Sequence, residues 1–148
     1  MSLVDVVVFR RDQGTQILLL RRAVGGRNVG SWESVHGAIE PGELPVDAAR
    51  REVREETGVA SGTLYNLSMT ESFYRHDRDE VALIPVFAFE VAAGEQVVLS
   101  PEHDEHAWLA ASDAHSRASW PRLRRAIDSL EALVIEGDGG LDDVIRIS

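Results

Sequence analysis

The chain lacks several features that would place it in common protein classes. Its 148 residues contain no cysteine, so neither a disulfide framework nor thiolate chemistry is available. Positive charge is scarce, because 15 basic side chains stand against 25 acidic ones and give a formal net charge of −10. A protein that coats nucleic acid needs a basic face, so the balance argues against a nucleic-acid polymer as partner. A single small nucleotide stays compatible with it.

Long apolar runs are missing as well. No stretch approaches the roughly 18 apolar residues that span a bilayer. The N-terminus lacks the basic start and apolar core of a secretory signal. We therefore expect no membrane contact and residence in the cytoplasm. A hydrophobic content of 44% with 27% charged residues is ordinary for a globular protein. At this length we expect one domain over residues 1–148.

Most of the chain reads as alternating strands and helices. Apolar, β-branched segments predict five main strands, at Val4–Arg11, Gln16–Arg22, Thr63–Arg75, Val81–Val91 and His106–Ala110. Residues 32–36 predict a short extended segment and 97–99 a short strand. Pro85 favours a sheet edge or a bulge.

Helical spacing of apolar residues predicts helices at 45–57, 111–117 and about 120–135. Residues 141–148 read as a final strand or a loose tail. Strands on both sides of a central helix, followed by a last helix, indicate an α/β fold with a sheet covered on both faces.

The predicted helix at 45–57 carries unusual charge. At roughly 100° per residue, Glu52, Glu55 and Glu56 lie on one side of it. Ionised carboxylates placed together repel one another unless a cation lies among them. Oxygen ligands of this kind suit a hard divalent ion such as Mg²⁺. A solvated surface helix held by salt bridges is the alternative.

The surrounding stretch, Gly37–Val59, reads GAIEPGELPVDAARREVREETGV. It resembles the Nudix box of the Nudix hydrolases, which is Gly, five residues, Glu, seven residues, Arg-Glu, an aliphatic residue, any residue, Glu-Glu, any residue, Gly and an aliphatic residue. The matching positions are Gly37, Glu43, Arg51, Glu52, Val53, Glu55, Glu56, Gly58 and Val59. No position departs from the pattern.

The resemblance implies an α/β/α sandwich with a mixed β-sheet. It also implies metal-dependent hydrolysis of a phosphoanhydride bond in a nucleoside triphosphate or a nucleoside diphosphate linked to another group. Glu52, Glu55 and Glu56, with the carbonyl of Gly37, would hold Mg²⁺ or Mn²⁺. Arg51 and Glu43 would form an ion pair that fixes the box loop against its helix.

The general base stays open between two carboxylates. Glu52 lies in the box and Glu102 lies in a later loop, and Nudix members differ in which they use. The segments WESVHGAIEPGE and PEHDEHAWL, with Glu102-His103 before a Trp-Leu pair and Trp120 at the last helix, resemble a subgroup that acts on dATP and dihydroneopterin triphosphate. A solvated loop pair is the other interpretation of Glu102 and His103.

The box does not specify the group attached to the diphosphate. Oxidised purine nucleotides, dinucleoside polyphosphates and ADP-ribose are rival substrates, and selectivity is expected in loops 23–31, 72–80 and 100–106. A second hypothesis is a Nudix-fold module that binds a nucleotide without hydrolysing it. The small-molecule substrate is the expected partner, and the resemblance leaves a homodimer open.

Other side chains receive weaker interpretations. Four arginines at strand ends are expected to be solvated rather than bound to phosphate: Arg10, Arg21, Arg22 and Arg27. Three aromatic residues stack on a base or pack in the core: Trp32, Phe73 and Tyr74. Three histidines show no metal-ligand spacing: His76, His106 and His115.

Overall fold

The computed structural model describes residues 2–137 and 139–147. Its seven strands are β1 (Leu3–Arg11), β2 (Thr15–Arg22), β3 (Trp32–Glu33), β4 (Val35–Ala38), β5 (Thr63–Arg75), β6 (Glu80–Glu90) and β7 (His103–Ala110). The helices are α1 (Pro45–Thr57), α2 (Ala111–Arg117), α3 (Pro121–Leu130) and α4 (Gly139–Ile145). Among the described residues, every helix is too short or too polar to cross a bilayer.

The strands form one mixed sheet with the order β3-β2-β1-β6-β5, to which β4 is joined through β1 and β7 through β2. β1 pairs with β6 in parallel. The other strand pairs are antiparallel. β1 therefore lies in the middle of the sheet, where both of its faces are covered.

Alternation along β1 assigns its side chains to two cores. Val4, Val6 and Val8 belong to the apolar layer beneath α1, while Val7 and Phe9 belong to the layer beneath α2 and α3. Helices thus cover both faces of the sheet. The predicted α/β/α sandwich with a mixed sheet is confirmed.

Most predicted elements form where the pattern placed them. The proline in β6 lies just outside the segment that pairs with β1, because that pairing begins at Val86. At Pro85 the strand is bonded only to β5, opposite Thr70. The missing N–H of the proline therefore interrupts no pairing with β1.

Several predicted boundaries need correction. Residues 97–99 form no strand. β7 begins at His103 rather than His106, because β2 supplies partners as far as Arg22. The last predicted helix divides into α3 and a π-helical turn, Glu131–Ile135.

Residues 139–145 form α4 rather than a strand or a loose tail. A single antiparallel bridge to β5 follows it, between Arg146 and Tyr65. Ile145 packs in the α3-side core, and this burial holds a segment that is too short to be stable alone. The prediction for position 148 lies outside the described residues.

Candidate active site

The helix α1 presents its glutamates from a well-defined frame. Pro45 occupies its first turn, and Gly58 ends it in the left-handed conformation with φ 77°. Glu56 is 3% exposed and Glu52 is 9% exposed, whereas Glu55 is exposed. The three carboxylates share one side of the helix as predicted, but only two of them are buried.

Burial changes the protonation of these two groups. It raises the pKa of Glu56 to about 9, with further increases from the charges of Glu52, Glu102 and Glu33. The His36 backbone N–H donates to Glu56 Oε2 at 3.1 Å and partly offsets this rise. The pKa of Glu52 is also raised, mainly by burial, with Arg51 acting in the opposite direction. A bound cation would relieve both penalties.

Arg51 joins the box loop to the helix. Its Nε and Nη2 donate to the two carboxylate oxygens of Glu43 at 2.8 and 2.9 Å. Its Nη1 donates to Glu52 at 2.8 Å and to Glu55 at 3.1 Å. Hydrogen bonds from Arg51 lower the pKa of Glu43 to about 2. The predicted Arg51–Glu43 ion pair is therefore present, and the same guanidinium also holds two of the three box glutamates.

Gly37 lies against the carboxylate of Glu52. A Cβ atom at position 37 would lie 2.0–2.4 Å from the carboxylate atoms of Glu52, so the carboxylate would have to shift to make room for it. The glycine of the box thus allows the close approach of Glu52 and is not explained by a special backbone angle. Gly37 therefore lies beside Glu52, as it would have to if its backbone carbonyl and the Glu52 carboxylate hold the same cation.

Glu102 and His103 meet the helix from the start of β7. One ligand atom from each of Glu56, Glu102 and His103 lies within 4.8 Å of the others. Glu102 therefore faces the box, and its carboxylate also lies 3.5 Å from Arg22. We call Glu52, Glu55, Glu56, Glu102 and His103 the acidic site.

The donor atoms of the acidic site fit a divalent cation. Carboxylate oxygens suit Mg²⁺ or Mn²⁺, and an imidazole nitrogen is acceptable to the latter. The ring of His103 is fully buried, with Nε2 3.4 Å from Glu33 and with Nδ1 lacking a partner among the described residues. Glu52 and Glu55 are bonded to Arg51 instead of joining the cluster around Glu56.

A cavity of about 530 Å³ opens beside the acidic site. This volume is typical of a small-molecule site. Glu102 belongs to both regions, and four arginines give the cavity a basic wall. We call it the arginine cavity; its lining residues are Arg22, Arg27, Asn28, Glu33, His36, Ser72, Phe73, Glu102, Trp120, Pro121, Arg122 and Arg125.

Some of the arginine and aromatic candidates from the sequence line the cavity, and others lie elsewhere. Arg22, Arg27 and Phe73 line it. Arg22 is half-buried beside Glu33 and Glu102, so the expectation of plain solvation is wrong for this arginine, whereas Arg27 is exposed as expected. Arg21 instead pairs with Asp104 and Glu105, and Arg10 stacks on Trp108 at 4.2 Å. Trp32 and Tyr74 are not part of the cavity lining. Of the three aromatic candidates, Phe73 therefore lines the arginine cavity, where Trp120 joins it.

Three further residues at the cavity were missed. Asp5 accepts hydrogen bonds from His36 and Arg122, and these two partners line the cavity wall. A lone aspartate among valines in a predicted buried strand is the signal that could have drawn attention to it. Arg122 carries no comparable signal, because its partner lies 117 residues away.

Comparison with known proteins agrees with this arrangement. The model of the NUDIX domain matches residues 1–130. An octanoyltransferase from Myxococcus xanthus is 30% identical over 128 residues, which cover 82% of this chain but 34% of that protein. The asymmetrical bis(5'-nucleosyl)-tetraphosphatase of Mus musculus is 28% identical over 133 residues, covering 82% of this chain and 87% of that protein. The E. coli dihydroneopterin triphosphate pyrophosphohydrolase structure superposes with a TM-score of 0.75 at 27% identity, covering 90% and 94% of the two chains.

A mixed sheet between helices, with Glu56 of the first helix grouped with Glu102 and His103, is compatible with a hydrolase that uses a metal ion. The chain belongs to the Nudix hydrolase family. The predicted family, fold and enzyme class are confirmed, as is hydrolysis of a phosphoanhydride bond in a nucleotide-related compound as the class of reaction. Nudix hydrolases generally use divalent metal ions, and the acidic site supplies a group of side chains suited to one.

Proposed function

We propose that this chain is a Mg²⁺- or Mn²⁺-dependent pyrophosphohydrolase that cleaves a nucleoside triphosphate or a pterin triphosphate. The observation that carries the proposal is that Glu102 belongs both to the acidic site and to the lining of the arginine cavity. The acidic site lies at one end of a cavity whose wall carries four arginines. A polyphosphate needs both features, since its charge is offset by cations and by guanidinium groups.

Glu52, Glu55 and Glu56, with the carbonyl of Gly37, are assigned as the metal-holding groups. When bound, the cation offsets negative charge on the phosphoryl oxygens. Glu56 is the firmest of these assignments, because its buried carboxylate has a strongly raised pKa and Glu102 and His103 lie next to it. The ion pair between Arg51 and Glu43 holds the box loop against α1, which keeps Gly37 close to the metal-holding glutamates.

We favour Glu102 as the group that takes a proton from the attacking water. Its side chain is 60% exposed and lines the arginine cavity, so it is accessible to water and substrate. Glu52 is the alternative, but it is buried and bonded to Arg51. Removal of a general base costs about 10²- to 10⁴-fold in rate. Glu102→Gln and Glu52→Gln are therefore compared both in kcat at saturating Mg²⁺ and in Mg²⁺ affinity. A loss of kcat with unchanged Mg²⁺ affinity identifies the base, whereas weakened Mg²⁺ binding identifies a metal-holding group.

One part of the cavity lining is suited to a planar group. Phe73 and Trp120 line it together with Arg122, whose guanidinium lies 4.9 Å from the Trp120 ring centre and 5.8 Å from that of Phe73. Aromatic and guanidinium faces stack on heterocycles. The similarity to a dihydroneopterin triphosphate pyrophosphohydrolase supports a substrate of this shape.

A substrate panel tests the proposal. For dATP, GTP, dihydroneopterin triphosphate and 8-oxo-dGTP, phosphate release is measured with Mg²⁺ and inorganic pyrophosphatase. Cleavage of diadenosine tetraphosphate and ADP-ribose releases no pyrophosphate, so their nucleotide products are separated and quantified by chromatography. We expect a triphosphate to be cleaved fastest, and Glu56→Gln to lose more than about 100-fold of that activity. Tight nucleotide binding without product over hours would instead identify a binding module. Full activity of Glu56→Gln would overturn the metal assignment.

Three further properties belong to this proposal. We propose one domain over residues 1–148, residence in the cytoplasm and a homodimer, as in many Nudix proteins. Light scattering of the purified chain measures the mass in solution directly and decides between monomer and dimer.

A further inference from the structure

Asp5 is the exception in a strand of buried apolar side chains. Its neighbours Val4 and Val6 are fully buried, and Asp5 itself is 5% exposed. Removing a carboxylate from water costs several kcal/mol unless partners compensate for the lost hydration. The acidic site makes no use of this residue, so its charge requires another explanation.

Two cationic or hydrogen-bonding partners surround the carboxylate. His36 stands directly opposite Asp5 in the β1–β4 pair, and its Nδ1 is bonded to Asp5 Oδ1. Arg122 reaches Asp5 from the first turn of α3 and donates its Nε to Oδ2 at 3.0 Å. These contacts hold the pKa of Asp5 below its usual value despite burial, so the group is ionised at neutral pH.

Both partners belong to the wall of the arginine cavity. Arg122 donates only its Nε–H to Asp5, and its Nη1 and Nη2 make no hydrogen bond to the described residues. Its side chain is 20% exposed, which leaves these groups accessible from the cavity. A fixed guanidinium with two free amino groups matches a pair of acceptor atoms on a ligand.

The Asp5–His36 pair is also connected to the acidic site. The backbone N–H of His36 donates to Glu56, while its ring is bonded to Asp5. Asp5 therefore fixes His36, which borders the proposed metal ligands, and Arg122, which lies on α3.

We propose that Asp5 is a positioning residue for substrate recognition, and this rests on the proposed function. It holds the guanidinium of Arg122 and the ring of His36 at the cavity wall, so that Arg122 presents two N–H donors to a pair of acceptor atoms on the substrate. Such a pair is offered by two phosphate oxygens, or by the carbonyl oxygen and ring nitrogen of a guanine- or pterin-like edge. Adenine presents one acceptor and one donor at the corresponding edge and does not match.

The test begins with steady-state kinetics of Asp5→Asn, Arg122→Gln and the double variant. We expect each single variant to raise KM by about 10- to 100-fold with kcat changed by less than about threefold. The double variant should stay within about threefold of Arg122→Gln, because residues that act through one contact are not additive. The control is Arg124→Gln, which removes the same charge from the same helix but does not line the cavity.

A purely structural role for Asp5 gives a different pattern. Misfolded or unstable protein lowers the apparent kcat in proportion to the folded fraction and leaves KM unchanged. That result for Asp5→Asn, or strictly additive effects in the double variant, would overturn the proposal. Comparing GTP with ATP separates the two ligand chemistries: a KM penalty confined to GTP identifies the base edge, and an equal penalty on both identifies the phosphates.

A spectroscopic readout tests the contact without any turnover. The Nε–H of a salt-bridged arginine exchanges slowly and gives a distinct ¹H–¹⁵N signal, which we expect in the wild type and expect to vanish in Arg122→Gln. It should also be lost in Asp5→Asn. Persistence of the Arg122 signal in Asp5→Asn would show that Asp5 does not hold it, whereas a wild type that cleaves no compound of the panel would overturn only the proposed function.

Discussion

The acidic site and the arginine cavity are built in opposite ways. The acidic site takes three of its carboxylates from consecutive turns of one helix, α1. The arginine cavity draws its wall from several separate segments, among them Arg22, Ser72 and Trp120. A helix fixes the spacing of its own side chains, whereas a cavity of this kind exists only after the whole sheet has formed. The reaction class can therefore be predicted from one short stretch of sequence, while substrate recognition depends on the complete fold.

The strongest test of the local region is Gly37→Ala. The added methyl group would overlap the Glu52 carboxylate, so that Glu52 must leave its observed position. We expect activity to fall by more than about 100-fold while all five groups of the acidic site remain present. Gly94→Ala is the matched control, because a Cβ there meets no atom within 4 Å. Wild-type kinetics of Gly37→Ala would show that Glu52 is not needed at its observed position.

The next test removes the contact between the box loop and the helix. Arg51→Gln loses the paired hydrogen bonds to Glu43 and the bonds to Glu52 and Glu55. We expect activity to fall by about 10- to 100-fold, with weaker Mg²⁺ binding by calorimetry. Arg54→Gln, an exposed change on the same helix, should behave as wild type. If both variants bind Mg²⁺ equally well, Arg51 does not orient the metal-holding carboxylates.

A third test follows from the raised pKa of Glu56. A carboxyl group with a pKa of about 9 in the folded state stabilises the protein at low pH and loses that contribution as pH rises from its ordinary value of 4.5 toward 9. In EDTA, Glu56→Gln should therefore melt higher than the wild type at about pH 8, by roughly 5 °C, and the difference should shrink near pH 5.

Added Mg²⁺ should reverse the order of the two proteins at the higher pH. Binding to the folded state raises the melting temperature of the wild type, and Glu56→Gln has lost the ligand that this requires. The measurement is differential scanning fluorimetry with and without the ion. An equal Mg²⁺ response in both proteins would contradict the assignment of Glu56.

The smallest effect is expected at Arg125. This arginine also lines the cavity, but both of its bonding nitrogens are used by Glu71, at 2.7 and 2.8 Å, and its side chain is exposed. Exposed ion pairs contribute little, so Arg125→Gln should change KM by no more than about threefold. An effect as large as that of Arg122→Gln would mean that the cavity wall acts through its total charge rather than through positioned donors.

The predictions from sequence succeeded where the physics is local. Helix α1, its proline start and its glycine end follow from spacing and backbone preference, and the Arg51–Glu43 pair is present at the contact distance expected. The strand order of the sheet could not be predicted, because pairing of β1 with β6 depends on contacts across most of the chain. The same limit explains why Arg122 was missed, because its partner Asp5 lies 117 residues away, whereas Asp5 itself carried a local signal as a lone aspartate among valines.

Weak elements were also misjudged for physical reasons. The segment 97–99 has strand-like residues, but its Val98 N–H is bonded to the end of α1 at Thr57 instead of to a sheet. Residues 141–148 predict a final strand or a loose tail, yet residues 139–145 are helical and Ile145 packs in the α3-side core. In both cases, tertiary contacts override a short local preference.

The contacts of His36 in β4 have an evolutionary consequence. The side chain of His36 is bonded to Asp5, whereas its backbone N–H is bonded to Glu56 and the next residue, Gly37, lies against Glu52. Any residue except proline at position 36 would keep that backbone N–H, because the side chain takes no part in the bond to Glu56. A lineage carrying this scaffold can therefore change the side chain at position 36 and acquire new substrates one mutation at a time, while the backbone contact with the hydrolytic machinery is inherited unchanged.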